Sequence, residues 1–121
     1  MTGSPEESLA QLTEHVAILS APANKQEIWA NEHNLPIDEL MLQFFDMVPG
    51  WLPRLQAAGV IDSSDELALL RLRVHFDSVM LGRTNLFTKW DTVRDALEWQ
   101  RVRDLAEAAL TSIQRSAAER D

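Results

Sequence analysis

A chain of 121 residues, 45% hydrophobic and 25% charged, has the composition of one globular domain, with enough apolar material to close a core unaided by disulfide or metal. It has no cysteine, which excludes disulfides, thiolate nucleophiles and zinc–sulfur sites. The formal net charge of −8 is unevenly placed: residues 1–66 carry eleven acids against Lys25 and Arg54, whereas residues 67–121 carry nine cations against eight acids.

The first residues show no basic cluster followed by an apolar run, as a signal peptide would, and no uncharged apolar stretch nears the ~20 residues of a membrane span. The expectation is a soluble, cytoplasmic protein. Ser4-Pro5-Glu6-Glu7 predicts a helix start, with Ser4 as cap and Pro5 in the first turn. Leu9, Leu12, Val16 and Leu19 then form one stripe, so helix one should run from Pro5 to about Ser20 and end at Ala21-Pro22. A short second helix is expected between Asn24 and Asn34, carrying Ile28 and Trp29. Pro36-Ile37-Asp38-Glu39 opens a third, with its acids at the positive end of the helix dipole. Ile37, Leu40, Met41, Phe44 and Val48 make its inner face, and Pro49-Gly50 should stop it before a short segment from Trp51 to Ala58 that ends at Gly59.

Ser63 and Glu66 have the spacing of a capping box. The helix after it is apolar on two stripes, Leu67, Leu70 and Val74 on one and Leu69, Leu72, Phe76 and Val79 on the other, which predicts a central hub. Gly82 ends it, and 83–87 reads as a loop. Thr88-Lys89-Trp90-Asp91 can cap a further helix with Trp90, Val93 and Leu97 on one face. Trp99, Val102, Leu105, Ala106, Ala109 and Ile113 fall on almost the opposite face, so a break is expected between Asp95 and Glu98, with a separate last helix from Leu97 to about Ser116. Residues 1–4 and 117–121 should fray. The fold class is all-α: a single domain, 1–121, forming an irregular bundle of five or six helices.

Motifs for chemistry are sparse. His15, His33 and His75 have no carboxylate or second histidine at metal-ligand spacing, and Asp62-Ser63-Ser64-Asp65-Glu66 lacks the central glycine of a calcium loop. There is no glycine-rich phosphate loop and no Gly-x-Ser-x-Gly elbow. The expectation is therefore no enzyme, no cofactor and no metal. Nucleic-acid binding wants a positive footprint, and this chain offers the reverse. Two features point to a partner instead. Asp38, Glu39, Asp46, Asp62, Asp65 and Glu66 are placed to gather at one end of the bundle, and Trp29 and Trp51 sit in short, less regular segments where an aromatic can face outward.

Leu35-Pro36-Ile37-Asp38-Glu39-Leu40 leading into Phe44-Phe45-Asp46, then Asn85-Leu86-Phe87-Thr88, and finally Trp99-Gln100-Arg101-Val102-Arg103 followed by Ala106 and Leu110, carry a resemblance. It is to a group of small, acidic, helical bacterial proteins of unassigned function. In size, acidity and lack of catalytic residues these resemble the immunity partners of bacterial toxins. The likeness implies a protein-binding module whose acidic surface masks a basic partner. A homo-oligomeric structural or adaptor protein is the second reading.

Overall fold

The computed structural model describes residues 4–35, 39–82 and 97–120. These form five helices and no strand: α1 (Pro5–Ser20), α2 (Ala23–Glu32), α3 (Glu39–Ala57), α4 (Ser63–Gly82) and α5 (Leu97–Arg120). The all-α bundle is as the apolar spacing required. α1 packs on α3 and α5, and α4 also packs on α3 and α5, so these four helices close a ring, with α2 laid against α1. The α1–α3 edge of the ring is therefore opposite the α4–α5 edge.

The core fills the ring. Leu12, Val16 and Leu19 of α1 meet Phe44, Val48, Leu52 and Leu55 of α3, Leu69, Leu72 and Phe76 of α4, and Trp99, Val102, Ala106, Ala109 and Ile113 of α5. Three rings run through its centre. Phe44 and Phe76 lie 5.9 Å apart, and Phe76 meets Trp99 edge-on at 6.0 Å, the offset and T-shaped geometry that aromatic quadrupoles favour.

α1 begins as its sequence predicts, with Ser4 Oγ accepting from the Glu7 N–H. α3 does not stop at Pro49-Gly50: it runs unbroken to Ala57, through both Pro49 and Pro53. Each proline removes one ladder hydrogen bond, but Val48, Leu52 and Leu55 lie on one buried face whose packing spans both prolines. The real stop is Gly59, at φ +74°. Its N–H donates to the Gln56 carbonyl, and Val60 N–H reaches back to Leu55, the paired closure that calls for a left-handed residue just past a helix end. Asn34, at φ 54°, closes α2 the same way.

α4 starts one residue earlier in its capping register than the sequence led us to expect. The cap is Asp62, whose Oδ1 accepts from the Asp65 N–H (3.0 Å) and from Ser64 Oγ (2.8 Å), while Asp65 Oδ2 accepts from the Asp62 N–H (3.1 Å). The reciprocal box is thus Asp62–Asp65 in place of Ser63–Glu66. This register turns Asp65 inward, where its Oδ1 accepts from Ser112 and Ser116 of α5. The Asp65 N–H first, and then the Ser64 hydroxyl, hold the Asp62 carboxyl down from 3.8 to about 2, against a smaller opposing effect of burial. In the unfolded chain this carboxyl takes up its proton at the ordinary value. The stabilisation is therefore complete above about pH 4 and is lost as pH falls towards the folded-state value. Asp62→Asn keeps an acceptor at the cap and should flatten the fall in stability over this interval; urea unfolding at stepped acid pH reads it.

The Leu69–Leu72–Phe76 stripe of α4 is buried, but Leu67 and Val74 of the second stripe are 49% and 65% exposed. Among the described residues α4 packs on α3 and α5, and Leu67 and Val74 of the second stripe face away from both. The last helix is described from Leu97 onward and its Trp99 stripe is buried; the break expected between Asp95 and Glu98 falls at the edge of the described residues. The preceding stretch, 83–96, with Trp90 and Val93, lies outside the described residues, as do 1–3 and 121. α5 runs on to Arg120 where the sequence led to fraying from 117.

Candidate functional site

The corner between α1 and α2 is built by one side chain. Gln26 is fully buried, and its Nε2 donates to the carbonyls of Ile18 and Leu19 at 3.1 and 3.0 Å. It thereby supplies the Leu19 carbonyl with a donor at the end of α1 and adds a second to Ile18, which also accepts from the Ala21 N–H. Fixing Gln26 fixes the rest of α2, and Trp29, three residues on, is carried over the flank of α1.

There Trp29 lies between two imidazoles. His33 stacks on it at 4.5 Å and 27°, and His15 meets it edge-on at 6.2 Å. His33 is one turn further along α2, and its Nδ1–H donates to the Trp29 carbonyl at 2.8 Å. His15 is buried, 6% exposed, on the inner side of α1. These rings line a groove of about 360 Å³ between α1, α2 and α3, with Gln11, Glu14 and Ile18 from α1 and Gln43 and Met47 from α3. Glu14 is exposed at its rim, and Asp46 is exposed on α3 beside Met47. Trp51 follows one turn beyond Met47, partly buried against the core. The groove combines an aromatic floor, hydrogen-bonding amides and imidazoles, and acids at the edge. Such a surface suits an extended cationic side chain with an apolar stem.

The acids do not gather at one end as expected. Asp46 stands eleven residues before the end of α3, roughly 16 Å along the axis from the α3–α4 corner. Asp62 is exposed at that corner. Asp65 is fully buried and belongs to the interior contact of α4 with α5, so it offers nothing to a partner. Glu66 is partly buried on the α3 side of α4. Asp38 and the side chain of Glu39 lie outside the described residues. The structure thus sets Trp29 in the groove and Asp46 on α3, the helix that supplies its Gln43 and Met47, and separates both from Asp62, Asp65 and Glu66.

Exposed charge is nonetheless polarised by edge. On α1 and α2 the exposed charged residues are Glu6, Glu7, Glu14 and Glu32, with Lys25 the one cation among the described residues there. The α4–α5 edge is mixed, with Arg71, Arg101 and Arg115 among Asp77, Asp104, Glu107 and Glu119. His75 is engaged structurally on that side, its Nε2–H donating to the Glu98 carbonyl at 2.9 Å. Among the described residues no group of three or more His, Asp or Glu side chains is set to hold a metal ion, and no helix is long and apolar enough to cross a membrane.

Sequence reasoning weighed Trp29 and missed the imidazoles around it. Two signals were available: Trp29 and His33 are four apart on one helix face, and Leu12, His15 and Leu19 share an inner stripe. Gln26 had no local signal, because its partners are seven and eight residues back across a turn. No protein-family model, curated protein or solved structure matches this chain.

Proposed function

We propose that this is a non-enzymatic, cytoplasmic protein-binding module, an immunity-type inhibitor whose acidic α1–α2–α3 side covers a basic face of its partner, such as the cationic cleft of a nuclease toxin. The supporting observation is the position of the Trp29 groove. It opens on the side of the bundle where exposed Glu6, Glu7, Glu14, Glu32 and Asp46 outnumber Lys25 and Arg54 among the described residues, with Glu14 in its lining. Acids at the rim speed encounter and reject anionic surfaces, while a partly desolvated tryptophan supplies the anchor. For a partner captured from the source cells, Trp29→Ala should weaken binding by about thirtyfold or more, the scale of an interface anchor. Glu14→Lys should weaken it chiefly through a slower association rate. Circular dichroism checks that both variants are folded. Unchanged affinity in both would rule the groove out as the docking point.

The exposed Leu67 and Val74, with Arg71 and Arg101 beside them, favour self-association as a second reading. A surface of this kind on the α4–α5 edge is complementary to the acidic edge of another copy. Sedimentation at rising concentration should then show assembly that salt reverses; a monomer at every concentration removes this reading.

A further inference from the structure

A second cavity, of about 260 Å³, lies between α3 and α4. Val48, Leu52 and Pro53 wall it from α3 and Leu70 from α4, with Glu66 and Arg73 at its lining. Among the described residues, Glu66 Oε2 and Arg73 Nε are buried with no hydrogen-bond partner. Buried polar atoms are nearly always paired, and those of charged groups are the costliest to leave bare. Two such atoms, of opposite charge, belong to side chains that line one cavity. We infer that this cavity binds a small zwitterion, an amino acid with an apolar side chain, whose ammonium donates to Glu66 and whose carboxylate accepts from Arg73.

Charge and size select this class. An anion alone faces Glu66, a cation alone faces Arg73, and a neutral apolar molecule leaves both groups unpaired. Glu66 and Arg73 are two turns apart on α4, about 10.5 Å along its axis. Both side chains are long enough to converge on one small molecule, and both line this one cavity, so an ammonium and a carboxylate carried on the same carbon can meet Glu66 and Arg73 through charge-assisted hydrogen bonds. The volume lies just below the roughly 300 Å³ at which pockets for drug-sized ligands begin, and the aliphatic walls suit a branched hydrocarbon side chain. The site is on a different helix pair from the Trp29 groove and stands independently of the protein-binding proposal.

The test is titration of the full-length protein with L-leucine, followed through the Arg73 Nε–H resonance and backbone amide shifts. Two analogues of the same carbon skeleton are run beside it: 3-methylbutylamine, without the carboxylate, and 4-methylpentanoate, without the ammonium. Leucine should bind saturably and move the Nε–H signal, with each analogue about tenfold or more weaker, the scale of one lost charge-assisted hydrogen bond. Glu66→Gln and Arg73→Lys should each weaken leucine binding by a similar factor, and the amide spectrum checks their folding. Absence of a saturable shift with leucine means a cavity filled by water only and overturns the proposal. Equal binding of leucine and its two analogues, or of the folded variants and the parent, does the same.

Discussion

Trp99→Ala should destabilise the protein by about 3–5 kcal/mol, the cost of emptying a large aromatic site in a packed core. Trp99 is 1% exposed and is the first large buried residue of α5, where it meets Phe76 edge-on. α5 is the helix that packs most heavily on both α1 and α4, so a cavity at this point loosens two helix interfaces together. Against a total stability of about 5–15 kcal/mol for an ordinary domain, the loss is a fifth or more. Trp99→Phe keeps an aromatic edge at the site and should cost roughly half as much. Urea unfolding of the three proteins measures both effects. A loss below about 1 kcal/mol for Trp99→Ala would mean that Trp99 does not anchor the core as described.

Asp65→Ala should cost about 3 kcal/mol, although it removes a charged group from the interior. The Asp65 carboxylate has no exposure and accepts from the Asp62 N–H, Ser112 Oγ and Ser116 Oγ. Removing this acceptor strands the Ser112 hydroxyl and frees the Asp62 N–H, while Ser116 keeps Asp62 Oδ2 as an acceptor, and an unsatisfied buried donor costs more than a made hydrogen bond returns. The same logic predicts a non-additive recovery. Asp65→Leu combined with Ser112→Ala and Ser116→Ala removes the acceptor and both α5 donors together, leaving only the Asp62 N–H at the exposed corner, and should regain much of the loss. If the triple variant is as unstable as the sum of its parts, the contact is not the linked unit that the hydrogen bonds describe.

Most of the architecture was legible because it rests on helical periodicity. The Leu12–Val16–Leu19 and Trp99–Val102–Ala106–Ala109–Ile113 stripes required one-sided burial and received it. Where local rules misled, a longer-range contact had outweighed them. The helix-breaking tendency of Pro49 lost to the packing of Val48, Leu52 and Leu55. The Ser63–Glu66 spacing lost to an Asp62–Asp65 box that also engages two serines of α5, about fifty residues away in sequence. Of the two apolar stripes expected to make α4 a hub, the Leu69–Leu72–Phe76 stripe is buried, while Leu67 and Val74 of the other are exposed among the described residues: an apolar stripe states that burial would be favourable, not what covers it. The candidate site was less readable still. Trp29 was visible as a tryptophan in a short helix, but its groove depends on Gln26 folding α2 back on α1, and a side chain bonding to carbonyls across a turn leaves no periodic trace. The acidic residues were misjudged for a related reason: composition counts charges, and only the packing tells Asp65, wholly inside, from Asp46, outside.

The proposed docking face is tested most directly by the ionic-strength dependence of the captured partner's dissociation constant. Exposed acids opposite a basic surface are screened within about 10 Å at moderate salt, so affinity should fall steeply from low to high ionic strength, mostly through the association rate. An affinity that stays constant across that range would contradict an acidic inhibitor of a basic partner.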